Sequence, residues 1–234
     1  MFETTIQDDV LQVQSSGARW LLTGWSGGYT DSKTVYNISV PEGWDRTDLA
    51  TYSNERRDAA GFETDGPALL TGVDMQHAAG ATIDGVRAVA TVGLSNPAAL
   101  PLDPDGTDPE GLVPGEAPAT GTVNLIVGTE RALGDGTLGT LLGVTVEAKT
   151  ATLQQLTGFT GTTSDAVAVG TDPAGQAVSF AGSATDVGDA TRTAVREALT
   201  RSFASRFADS EPPVSVPEAD TGIVTSRIAT PFDP

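Results

Sequence analysis

The 234-residue chain contains no cysteine, and that absence removes disulfide frameworks, thiolate metal sites and cysteine nucleophiles together. Histidine is nearly missing as well, His77 being the only one. A histidine-rich zinc site is therefore excluded. A serine or threonine triad would have to use this one ring, and no GxSxG elbow accompanies it. One histidine with scattered carboxylates leaves room for a hard cation, but carboxylates are this frequent on any acidic surface. No metal and no cofactor is expected. No segment approaches the roughly 20 apolar residues that span a bilayer. The opening MFETTIQDDV carries acids where a targeting segment has an apolar core. A soluble cytoplasmic protein is the simplest expectation. The chain also lacks a GxGxxG turn opening a helix and a GxxxxGK[ST] loop, so the usual nucleotide-binding signatures are absent.

What is abundant is acid. Thirty-one Asp+Glu against 13 Lys+Arg give a net charge of -18, which disfavours attraction to nucleic acid or to an anionic membrane. Only Lys33 and Lys149 among the cations are lysines. The acids are spread along the chain, with a cluster at Asp103, Asp105 and Asp108. That is the pattern of a salt-adapted surface, because in molar salt the screening length shrinks to about 3 Å and self-repulsion is suppressed. A halophilic source is expected.

Thr5 to Gln14, Trp20 to Trp25 and Val35 to Val40 read as strands separated by turns at Gly17, Gly27 and Gly28. Asp48 is placed to cap a helix running through Arg57. GPALLTGVD and VRAVATVGL read as short buried strands on either side of Met75, Gln76 and His77. Residues 100–119 are crowded with Pro, Gly, Asp and Glu and read as an acidic loop insertion. GTVNLIVG is a strand by its β-branched content, and Asp135 opens the helix that carries Lys149. Two strands follow, Ala166 to Val169 and Ala177 to Ala181, joined by a turn at Asp172 to Gly175. A last helix from Asp186 places Val187, Thr191, Ala194, Val195 and Ala198 on one face, with Arg192 and Arg196 off it. Strands outnumber helices, and the helices come late and singly. This predicts an α+β fold, a mixed and largely antiparallel sheet layered with a few helices. One domain is expected over 1–208, followed by an extended Pro-rich tail over 209–234.

The densest chemical text is VEAKTATLQQLTGFTGTTSDAVAV, from Val146 to Val169. At about 100° per residue, Leu138, Leu142, Thr145, Lys149, Leu153 and Leu156 share one side of the helix, which puts Lys149 inside an apolar stripe. Either its stem snorkels to solvent, or its ammonium meets a carboxylate or ligand at the helix end, with Asp165 as the natural partner. Glu147 falls about 140° to 160° from that stripe and reads as a surface acid. With Gly139 and Gly143 permitting close approach, it instead faces a second cavity and is a candidate general base. Asn37, Gln76, Asn96 and Asn124 lie close to apolar strand or helix text. Each either ties a loop to neighbouring backbone or, as a set, they line a pocket that reads ligand amides. Trp25, beside Ser26-Gly27-Gly28-Tyr29, suits a lid over a flat ligand or a plain hairpin corner.

Taken together, RWLLTGWSGGY, VYNISVP, LLTGVDM, VATVGLSNP, GTVNLIVG, VEAKTATLQQLTG and TGTTSDAVAV resemble the adenosylcobinamide amidohydrolase family, over about Arg19 to Phe207. The specific part is an EAKT-like helix paired with a TGTxSDA-like loop after a GTVN strand. The acidic insertion and the proline tail fall outside the matching blocks. The resemblance implies hydrolysis of the amide joining aminopropanol to a propionate side chain of the corrin ring, giving adenosylcobyric acid in an archaeal or bacterial salvage route. Its implied partner is a small corrinoid, with a homo-oligomer also possible; the alternative class is a non-catalytic corrinoid carrier. Under the family reading, Asp165 or Glu147 activates water while Lys149 and loop N–H groups hold the oxyanion. A hydroxyl of Thr160, Thr162, Thr163 or Ser164 as nucleophile, with Lys149 as base, is the second arrangement. Trp25, Asn37, Asn96, Asn124, Thr160, Thr162 and Ser164 are the residues expected to meet substrate.

Overall fold

A computed structural model describes residues 2–103 and 121–233. Eleven strands and three α-helices follow the order β1 (Glu3–Gln7), β2 (Val10–Leu22), β3 (Gly28–Ser39), α1 (Leu49–Ala59), β4 (Ala68–Thr71), β5 (Ala79–Ile83), β6 (Val86–Val92), β7 (Pro97–Ala99), β8 (Val123–Leu133), α2 (Asp135–Thr157), β9 (Gly161–Thr162), β10 (Ala166–Val178), α3 (Asp186–Arg206) and β11 (Ile223–Val224). The expected acidic insertion over 100–119 lies, beyond Asp103, outside the described residues.

Eight strands form one sheet in the order β4-β3-β2-β10-β8-β6-β5, with β1 added beside the first half of β2. The pairs β3/β4 and β8/β10 are parallel, each joined by a helical crossover, α1 and α2. All other pairs of this sheet are antiparallel. The result is the α+β, largely antiparallel arrangement expected from the order of the elements. A second, three-stranded sheet runs β11-β7-β9. In the Pro-rich C-terminal segment, Ile223 and Val224 pair with Ala98 and Ala99.

The large sheet curls. Asn37 on β3 donates to Thr91 Oγ1 on β6 at 3.0 Å and accepts from Asn124 Nδ2 on β8 at 2.8 Å, although β2 and β10 separate β3 from β8 in the sheet order. Inside the curl lies one core, containing Leu11, Trp20, Val35, Leu69, Met75 and Ile126. On the outer side α2 and α3 cover β6, β8 and β10 through Leu138, Leu141, Leu153, Val195 and Leu199. Around β3 and β4, α1 completes a third cluster with Tyr36, Ile38 and Tyr52.

Several local expectations need correction. Thr5 to Gln14 is not one strand, because Asp8 and Asp9 both take positive φ (48° and 58°) and turn the chain back as a two-residue hairpin between β1 and β2. Aspartate tolerates this region because its short side chain bonds locally, and alternation alone does not reveal such a turn. Gly17 marks an irregularity inside β2, not a turn between strands. Asp172 to Gly175 is likewise a bulge within the single strand β10, where the register against β8 shifts between Thr171 and Gln176. Asp48 stands at the N-cap of α1, yet its carboxylate turns away to Arg46. The guanidinium holds its pKa below the usual carboxylate value.

The two long helices follow their sequence more closely. Asp135 opens α2 and accepts from the Arg19 guanidinium at 2.6 and 2.9 Å, which lowers its pKa. Gly158 closes α2 in the left-handed conformation (φ 81°), its N–H bonding Gln154 O. The buried face of α2 is Leu138, Leu141, Val144, Thr145, Ala148, Lys149, Thr152 and Leu153, with Leu142 and Leu156 only half-buried. It is wider than a single stripe because the helix packs on both the sheet and α3. Thr185 caps α3 by accepting from Gly188 N at 3.1 Å, and the expected face from Val187 to Leu199 is buried.

Candidate active site

Lys149 and Asp165 meet. The lysine Nζ donates to Asp165 Oδ2, and both side chains are nearly out of solvent, at 8 and 12% exposure. Asp165 Oδ1 accepts from Val123 N and Thr162 N, each at 3.1 Å, and from the Thr162 hydroxyl. Both carboxylate oxygens are therefore engaged, tying α2, the start of β8 and the loop before β10 to one point. Glycine at 161 is a packing requirement here, since a Cβ would come within 2.8 Å of Lys149 Nζ and run into the Asp165 carboxylate. Glu147 is not brought to this point. Its carboxylate pairs with Arg192 on α3, at the surface.

The hydroxyl loop is stitched to β7 residue by residue. Thr160 bonds Ala98 O through its N–H at 2.9 Å and its hydroxyl at 3.0 Å. Asn96, fully buried, gives its Nδ2 to Thr163 Oγ1 at 2.8 Å and to Ser164 Oγ at 3.0 Å. Its Oδ1 is buried with no partner. Ser164 Oγ lies 2.9 Å from Thr122 Oγ1 and donates to Gly121 O at 3.2 Å. Ser164 itself is exposed.

Ser164 and Thr122 help to line a cleft of about 190 Å³. It opens where the curl brings the edge strand β4 opposite the starts of β8 and β10. Trp25, Trp44, Val40 and Leu49 contribute apolar wall, Ala68 to Gly72 run along one side, and Ala166 and Thr23 to Gly24 complete the lining. Trp25 is 45% exposed, while Trp44 is half-buried and stacks obliquely on Tyr52.

Of the residues expected to meet substrate, Trp25 and Ser164 line the cleft. Asn37 and Asn124 sit behind its wall, bonded to each other, to Thr91 and to the main chain at Leu70 O and Ala166 N. Asn96, Thr160 and Thr162 are likewise committed to backbone or loop partners. Sequence reasoning named neither Trp44 nor Thr122 as a site residue, and it read the β4 text GPALLTGVD as a buried strand with no part in the site. Thr122 sits within the GTVN strand text and so carried a local signal, whereas Trp44 joins the wall only through the fold. Among the described residues no three His, Asp or Glu side chains gather to hold a metal ion, and His77 instead contacts Ser205 Oγ at 3.0 Å.

Comparison with known proteins bears on this cleft. A family model described as adenosylcobinamide amidohydrolase matches residues 2–211. A protein of Halobacterium salinarum named adenosylcobinamide amidohydrolase is 49% identical over 237 residues, covering 100% of both chains.

Proposed function

The chain belongs to the adenosylcobinamide amidohydrolase family, and from that premise we propose that it hydrolyses the aminopropanol amide of adenosylcobinamide to adenosylcobyric acid. Identity to a named hydrolase along the whole length favours catalysis over the carrier alternative. The observation that carries the site is the cleft itself, lined by two tryptophans and by two adjacent hydroxyls, Ser164 and Thr122. Water adds to the amide carbon, the C–N bond breaks, and the amine leaves with a proton, so the site must stabilise charge on the carbonyl oxygen. Ser164 is the candidate group that reaches that oxygen, by turning its single O–H from Gly121 O to the substrate. It is exposed to the cleft, and its orientation is set by Asn96, Thr122 and Gly121 O. Lys149 and Asp165 act in this reading as positioning residues, holding the Thr162 to Asp165 segment from behind.

The reaction fits corrinoid salvage in the cytoplasm; among the described residues no helix is long and apolar enough to cross a membrane. The origin of the relative accords with the salt-adapted surface. The test is to incubate the purified protein with adenosylcobinamide in molar KCl and measure released aminopropanol. Binding of the corrinoid without release would instead support the carrier.

A further inference from the structure

Among the described residues strand β4 pairs on one side only, with β3, and its residues line the cleft. Tyr36 N donates to Pro67 O at 2.9 Å and Val40 N to Thr71 O at 2.8 Å, so alternate residues of β4 direct their main-chain groups toward β3. Ala68 and Leu70 direct theirs the other way. Asn124 Nδ2 confirms this by donating to Leu70 O at 2.9 Å from across the curl. The Leu70 N–H and the Ala68 carbonyl remain on the same side. Trp44 also lines the cleft, and its indole Nε1 is a buried donor with no partner among the described residues.

We propose that the β4 edge reads the carboxamide fringe of the substrate as it would read a neighbouring strand. Leu70 N–H donates to one ligand amide carbonyl, Ala68 C=O accepts from a ligand amide N–H, and Trp44 Nε1 supplies a further donor. This rests on the amidohydrolase reading and adds to it the part of the substrate that enters. A cleft of about 190 Å³ is below the roughly 300 Å³ at which pockets begin to enclose drug-sized ligands, so it admits amide arms and leaves the ring outside, against Trp25. Asn124 has a defined part in this, since its bond to Leu70 O holds that same edge in place and leaves the N–H of the same residue for the ligand.

Two variants and one direct measurement test the proposal. Leu70→Pro removes only an outward N–H on an edge strand, where proline is tolerated. Trp44→Phe removes the indole donor and keeps an aromatic ring. Each is expected to raise KM for adenosylcobinamide about tenfold with kcat changed less, and Leu70→Ala, which trims the side chain but keeps the N–H, to raise it less than Leu70→Pro does. Amide hydrogen exchange of the unmodified protein, with adenosylcobyric acid as the probe, should show Leu70 slowed on binding. KM values equal to wild type in both variants, or Leu70 exchange unchanged at saturating probe, overturn the edge-strand proposal. A wild-type protein that slows Leu70 exchange but releases no aminopropanol overturns the hydrolase reading and leaves the strand's role standing.

Discussion

Lys149 and Asp165, sixteen residues apart in the chain, close a buried ion pair between the middle of α2 and the loop that leads into β10. Neither residue lines the cleft, but the segment that the pair anchors carries Ser164, which does. The carboxylate also holds two main-chain N–H groups and the Thr162 hydroxyl. A half-broken pair would leave a charge nearly out of solvent without its counter-ion.

Removing one member should therefore destabilise the fold more than removing both. Lys149→Met or Asp165→Asn alone is expected to cost about 3–5 kcal/mol, and Lys149→Met with Asp165→Asn, which removes both charges and keeps an acceptor for the Val123 and Thr162 N–H groups, to recover part of that loss. Denaturant unfolding measures it. Single variants as stable as wild type would show that the pair is not a structural clamp.

Ser164→Ala should behave in the opposite way. The residue is exposed, and Asn96 Nδ2 keeps Thr163 Oγ1 as an acceptor, so the melting temperature should hold. If the hydroxyl meets the carbonyl oxygen, kcat falls by about 100-fold or more. Measured in molar KCl on folded protein, it should fall further than for Lys149→Met. The reverse order would return the lysine to the chemistry itself.

Trp25→Ala should separate binding from turnover. At 45% exposure the indole contributes little to the core, and stability should change by no more than about 0.5 kcal/mol. If the corrin ring rests on it, KM rises about tenfold at nearly constant kcat. An unchanged KM would place the ring elsewhere.

Salt should stabilise the protein. A net charge of -18 repels itself in dilute buffer, and screening relieves that repulsion. Thermal melts should move upward from low to molar KCl. A flat or falling melting temperature would remove the salt-adapted reading.

Some of this was legible from the residues alone. The 3.6-residue period put Lys149 on the buried side of α2, and the first acid after the loop proved to be its partner, because a helix followed directly by a tight return constrains which neighbours can meet. Glu147 read as a surface acid on the same wheel, and it pairs with Arg192 at the surface. The composition carried the charge and the absence of thiols, which no folding can alter.

What only the tertiary structure decided is where the amides and the aromatics go. Asn37 and Asn124 are 87 residues apart and sit on strands that are not neighbours, so their mutual bond exists only because the sheet curls. The same curl places the β4 edge opposite the start of β8 and brings Trp44 and Thr122 to one cleft. Periodicity reports the face on which a residue lies. Curvature, which sums small twists over many strands, determines what that face meets, and no single segment encodes it.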